Sequence, residues 1–152
     1  MKLEIPLHTV TFDCWETLIF QPDPAASSAR RAHTLARLLR DHGHRVSVER
    51  AASALDEGWQ QHYLVWRSGG SSGAAEIVDF ALELLGVRDR DLARRLVPAV
   101  QETALGDELR VLEGARETLE WLAARDIRRA LICDTGFTPG RVVRQLLDRM
   151  GL

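Results

Sequence analysis

Asp13 and Thr17 stand four residues apart near the amino terminus, and Cys133, Asp134 and Thr135 stand together towards the other end. A carboxylate and a hydroxyl at that spacing can serve a bound oxyanion, or can do no more than close a turn. For an isolated Asp-x-x-x-Thr the turn is the better reading. Position raises Asp13 above it. His8 to Phe12 is β-branched and apolar, the pattern of a short strand buried on both faces. Asp13 then falls at the carboxyl end of that strand, where open parallel sheets place their ligands. The apolar run resumes at Leu18-Ile19-Phe20.

The second cluster has the same setting. Arg128 to Cys133 reads as another short strand, again followed by an acid, Asp134. Thr138-Pro139 then opens a helix that runs to Gly151, with Thr138 as N-cap and Pro139 in the first position. Such a helix start offers backbone N–H groups to an anion. Cys14 and Cys133 fall at the ends of what should be neighbouring strands. Thiols there can react, although small buried hydrophobes are the commoner role. Among the histidines only His42 and His44 stand close together, flanking Gly43, and that spacing in a turn makes a poor metal site.

Helices separate the two clusters. Gln21-Pro22-Asp23-Pro24 breaks the first strand and reads as a linker. Apolar periodicity predicts helices over Ala25 to His42, closed by Gly43, and from an N-cap at Ser47 to about Trp66. Two more follow, over Ala74 to Leu85 and over Asp89 to Ala104, the last interrupted or bent near Pro98. Ser68 to Gly73 has the composition of a flexible, solvated connection. Leu55, Trp59, Tyr63 and Trp66 make a helical stripe, which is more often core than substrate pocket. Four helices with no strand between them look like an insertion; a fifth helix, Ala115 to Arg125, restores the alternation.

The whole has 152 residues, 45% apolar and 28% charged, with a net charge of −2. Those values fit one globular domain and give no reason to expect nucleic acid or membrane as a partner. No apolar run approaches the ~20 residues that span a bilayer, and no signal-peptide pattern opens the chain. Two cysteines make no disulfide framework, which points to a reducing, cytoplasmic setting.

An apolar strand, then Asp13, then Thr17-Leu18, resembles the first motif of the haloacid dehalogenase-like (HAD) hydrolase superfamily. That motif runs Asp-x-Asp-x-Thr-Leu, and Trp15 stands where its second Asp would be. The resemblance implies an α/β fold: a HAD-like Rossmannoid parallel core, partial here, from residues 1–21 and 105–152, with a helical cap inserted at 22–104. It makes Asp13 the nucleophile, with Thr17 and the groups at 133–135 orienting the transferred group. Aligned on the second motif, Cys133 takes the hydroxyl position and Asp134 the Asn position, with Thr135 a near-register hydroxyl. Trp15, Asp134 and Gly136 would face the substrate, a small phosphorylated metabolite. Mg²⁺ would sit on Asp13 and the backbone carbonyl of Trp15, completed by later acids.

Trp15 cannot protonate a leaving group as that second Asp does. Dehalogenase or phosphonatase chemistry is therefore open, as is a non-catalytic binding protein on the same scaffold. The family's later Lys or Arg and its acidic pair do not follow before Leu152. The resemblance thus implies the amino-terminal part of a longer or split enzyme, its core completed by a missing segment or by self-association. The chain alone is then not expected to be a competent Mg²⁺-dependent hydrolase.

Overall fold

The computed structural model describes residues 7–134 and 136–152. Its order is β1 (Thr9–Phe12), β2 (Ile19–Phe20), α1 (Pro24–Asp41), α2 (Val48–Arg67), α3 (Ala74–Leu84), α4 (Arg90–Glu102), β3 (Arg110–Val111), α5 (Ala115–Ala123), β4 (Arg128–Leu131) and α6 (Gly140–Arg149). A short 3₁₀ turn, Thr103–Gly106, follows α4. The protein is mixed α/β. Contacts divide it into two units, one holding β1, β2, β3, α5 and β4 with Leu147–Leu152, the other Asp23–Asp107 with residues 136–146.

In the first unit β1 and β4 pair in parallel, Thr9 with Arg128 through Phe12 with Leu131. Strands β2 and β3 pair antiparallel, Ile19 with Val111 and Phe20 with Arg110. The chain leaves this unit after β2 and returns at β3, so that pairing clasps the two crossings together. Helix α5 lies against β4. Arg116 on α5 donates to the carbonyls of Met150 and Gly151, both at 2.6 Å, and so caps the end of α6.

The strands are not buried on both faces as their composition predicts. Strand β1 alternates exposed and half-buried residues, and all of β4 is exposed. The pattern of a central strand presupposes neighbours and helices on each side; two strands with one helix beside them cover far less. Ile132, just past β4, is 68% exposed.

The second unit buries its apolar residues in one cluster running from Ala32 through Leu39, Leu55, Leu82 and Leu96 to Val100. No strand lies within 25–104 among the described residues. Helix α1 starts one residue earlier than its apolar stripe suggests. Asp23 is the N-cap, its carboxylate accepting from Ala26 N–H at 2.9 Å, and Pro24 is the first helical residue. The double proline is thus a helix start as well as a break, because a first-turn N–H has no helical partner to lose. Helix α4 runs through Pro98 to Glu102 without interruption.

Segment 136–146, read from the sequence as part of the core, groups here with the helices, where Phe137 packs on the apolar cluster. The linker at 68–73 is also more ordered in its bonding than composition suggests. Ser72 hydrogen-bonds His62, and Gly73 N–H donates to Glu76 at 2.8 Å at the start of α3.

The stripe of Trp59, Tyr63 and Trp66 is not core. All three are exposed, Trp59 by 43%. Helix α2 buries instead its small face, Ala51, Ala54, Leu55, Gly58 and His62, between α1 and α3. Small residues let helix backbones approach closely, and closeness here wins over the area an indole could bury. A Cβ added at Gly58 would stand 2.7 Å from the carbonyl oxygen of Ile77.

Gly58→Ala therefore tests the packing of α2 on α3. Alanine's helix propensity favours the variant by about 1 kcal/mol, but the clash is with backbone and should reverse the sign. A net loss of about 1–3 kcal/mol is expected in urea denaturation. A gain in stability would show that the two helices separate at no cost.

A second test concerns Asp107, whose side chain is only 4% exposed. Its carboxylate accepts from Ser27 Oγ at 2.8 Å and Arg30 Nε at 3.3 Å, and Ser27 in turn accepts from Arg31 at 2.8 Å. Asp107→Ala leaves that hydroxyl and guanidinium without their acceptor. A loss of about 2–4 kcal/mol is expected by thermal unfolding.

Candidate functional site

Asp13 leaves β1 directly after Phe12, and Ile132 leaves β4 directly after Leu131. Ile132 N–H donates to the Phe12 carbonyl at 2.9 Å, so the pairing runs one step past the strands. Because the strands are parallel, both exits lie at one edge of the sheet. Asp13 and Asp134 are exposed there, Trp15 is half-buried, and Cys14 is completely buried.

The chain after Asp13 turns back on itself. Leu18 and Ile19 N–H groups both donate to the Cys14 carbonyl, at 2.9 and 3.1 Å, and Glu16 N–H donates to the Ile19 carbonyl at 2.8 Å. Glu16 takes a left-handed φ of 57° to make the turn. Leu18 and Ile19 are buried and anchor it, which is why the apolar run resumes where it does. Thr17 rides exposed on the outside of this turn.

The pairing offset that joins Phe12 to Leu131 also carries Cys14 onto Cys133. The Cys14 thiol and the backbone N–H groups of Cys14 and Trp15 lie near enough to the Cys133 sulfur to act on its titration. Cys133 itself points its S–H at the Asp134 carbonyl, 3.4 Å away. Burial, with Cys133 and the Asp13 carboxylate adding, pushes the Cys14 thiol up to about 12. Burial, and then Asp13, also raises Cys133, against the pull of the two backbone N–H groups. Both sulfurs are thus held as neutral thiols. Cys133, at the position the resemblance gives to a hydroxyl, stands as a weak hydrogen-bonding group beside Asp13.

Thr135 lies outside the described residues. Gly136 has a packing role in the helical unit. A Cβ there would stand 2.3 Å from Cζ3 of Trp59, so only glycine lets the indole sit where it does. Arg141, a candidate for reaching an anion, is held within the same unit by Glu102 at 3.0 Å and Gln101 at 2.9 Å.

Magnesium takes oxygen donors, and Asp13 with the Trp15 carbonyl are of that kind. One fixed carboxylate falls short of what usually holds the ion. Among the described residues no group of three or more His, Cys, Asp or Glu could bind a metal. Asp13 and the Trp15 carbonyl would thus offer such an ion one carboxylate and one carbonyl.

One feature has no counterpart in the sequence reading. The Arg31 guanidinium lies 4.7 Å over the Phe137 ring, Phe137 stacks on Trp59 at 5.6 Å and 12°, and Trp59 meets His62 at 5.0 Å. Only the Trp59–His62 pair has a local signal, its i, i+3 spacing on α2. Arg31 and Phe137 are joined to it by the fold alone. A cleft of about 920 Å³ opens between α3 and α4, lined by charged residues such as Asp79, Arg88 and Asp89, and none of the candidate residues lines it.

The thiol pair makes a pH prediction. A Cys14 pKa raised from 9.0 to about 12 means that the unfolded chain ionises first. Stability is unaffected below the unfolded value and is lost as pH climbs through that window. Cys14→Ala should show a shallower decline between those limits in denaturation curves. Identical slopes would mean that Cys14 is no more protected than an unfolded thiol.

Comparison of the sequence with protein-family models and with curated proteins finds no match.

Proposed function

We propose that Asp13 is the attacking carboxylate of a HAD-like hydrolase acting on a small phosphorylated metabolite. The observation that carries this reading is the parallel pairing of β1 with β4, which sets an exposed carboxylate beside the 133–134 loop at one sheet edge. In the proposed reaction an Asp13 oxygen attacks phosphorus, the P–O bond to the leaving group breaks, and an aspartyl ester forms. Water then cleaves that ester and restores the carboxylate. Thr17 and Cys133 orient the transferred group through hydrogen bonds.

Trp15 supplies no proton, so the reaction favours leaving groups that depart as stable anions, a nitrophenolate or a halide. Magnesium, which the resemblance calls for, would shield the two anions from each other. Asp13 and the Trp15 carbonyl would be its ligands here, with further acids supplied by another segment or chain.

A second reading has its own support. A non-catalytic binding protein would need neither a completed metal site nor an acid at position 15, and β4 leaves apolar residues exposed at Leu131 and Ile132. No helix among the described residues is long and apolar enough to cross a membrane.

The test is hydrolysis of p-nitrophenyl phosphate by the 152-residue chain and by Asp13→Asn, with magnesium varied from about 1 to about 100 mM. A single fixed carboxylate predicts turnover near background at the low end and a rise without saturation. The rise should fall by at least about 10³-fold in Asp13→Asn, because the amide keeps the shape and is a poor nucleophile. Equal rates in the two proteins at every concentration would remove Asp13 from the mechanism and favour the binding protein. Saturation below about 1 mM would show that the metal ligands are already complete.

A further inference from the structure

We infer that Cys14 and Cys133 form an intramolecular disulfide on exposure to hydrogen peroxide, which makes the mouth of the β1–β4 pair a redox-responsive clamp. The inference stands apart from the hydrolase reading, since it uses the thiols and not the reactivity of Asp13.

Three observations carry it. The two residues are in register on adjacent parallel strands, two steps beyond Phe12 and Leu131, so their side chains leave the pair on the same face. Neighbouring strands run about 4.8 Å apart, inside the Cα separation of roughly 4.4–6.8 Å that a disulfide accepts. The two thiols are also near enough for each to act on the other's titration. They are also the only cysteines in the chain, so neither has a competing partner within it.

Access sets the order of events. Cys14 is buried and Cys133 only partly so, which exposes Cys133 to the oxidant first. Its sulfur attacks one peroxide oxygen, the O–O bond breaks, and the thiol proton leaves with the other oxygen as water. Cys133 is then a sulfenic acid. The Cys14 sulfur attacks the Cys133 sulfur, the S–O bond breaks, and the hydroxyl group takes the Cys14 proton and departs as a second water. Two thiols and one peroxide give one disulfide and two waters. Because both thiols hold their protons, the reaction should be slow, completed over minutes to hours.

The experiment treats the intact chain with a modest excess of hydrogen peroxide over hours. It follows free thiols, intact mass, size and thermal unfolding. The expected product is a monomer that has lost both thiols and about 2 Da. Closing so long a loop should raise its Tm on the order of 5–10 °C, and reducing agent should reverse the gain. Cys133→Ser, a small change at a partly exposed position, should show neither the mass loss nor the rise. Gain of about 32 Da at one cysteine, disulfide-linked dimers, or survival of both thiols would each overturn the inference. So would a Tm rise of the same size in Cys133→Ser.

Discussion

Two four-residue strands far apart in the chain must meet in parallel, and everything at the candidate site depends on that meeting. A parallel pair cannot be closed by a tight turn; it needs a crossover of a dozen residues or more. Here the crossover contains an entire helical unit. The cost of closing a loop rises only slowly with its length, and most of this loop is folded on its own account. The β2–β3 clasp then holds its two ends together at Ile19–Val111 and Phe20–Arg110. Once the clasp is closed, β1 and β4 need little further ordering to pair. Their shared direction, and no local feature of either loop, sets Asp13 and Cys133 at one edge.

Stability is unevenly divided between the units. The helical unit encloses a continuous apolar cluster of Leu, Val and Ala side chains from four helices. The strand-bearing unit buries few large residues, chiefly Leu18, Ile19 and Leu122. Its integrity leans on polar closure: strand hydrogen bonds, the turn folded over Cys14, and Arg116 gripping the last carbonyls of α6. A site built on so thin a sheet is held by the exact continuation of pairing past Phe12. Cys14, fully buried, and Cys133, partly so, follow the two strands at that edge.

The chemistry at this edge is constrained by what stands beside Asp13. Asp13 is exposed, with two neutral thiols close by, and among the described residues no group of three or more His, Cys, Asp or Glu could hold a cation. An unassisted carboxylate can attack only where the leaving group needs little protonation. That is why Trp15, more than any residue that is present in the expected form, decides which substrates the proposed reaction could serve.

Much of the local structure was legible in the chain itself. Ser47 caps α2, Gly43 ends α1, and β1 ends directly before Asp13, because caps, stops and short apolar runs are decided by neighbours within a few residues. Strand β4, however, stops at Leu131, short of the run to Cys133 that composition suggests. The pairing of the two strand ends was legible too, since parallel neighbours must present their carboxyl ends together. Three things were decided only by tertiary structure. Strand composition promised burial that a two-stranded sheet cannot supply. The aromatic stripe of α2 lost its place in the core to a small-residue face, since close helix approach is a property of the partner helices as well as of α2. Finally, the Arg31–Phe137–Trp59 stack and the role of Gly136 beneath the indole join residues from opposite ends of the chain. No spacing announces such contacts, because sequence periodicity records which face of an element is buried and is silent about what the fold brings against it.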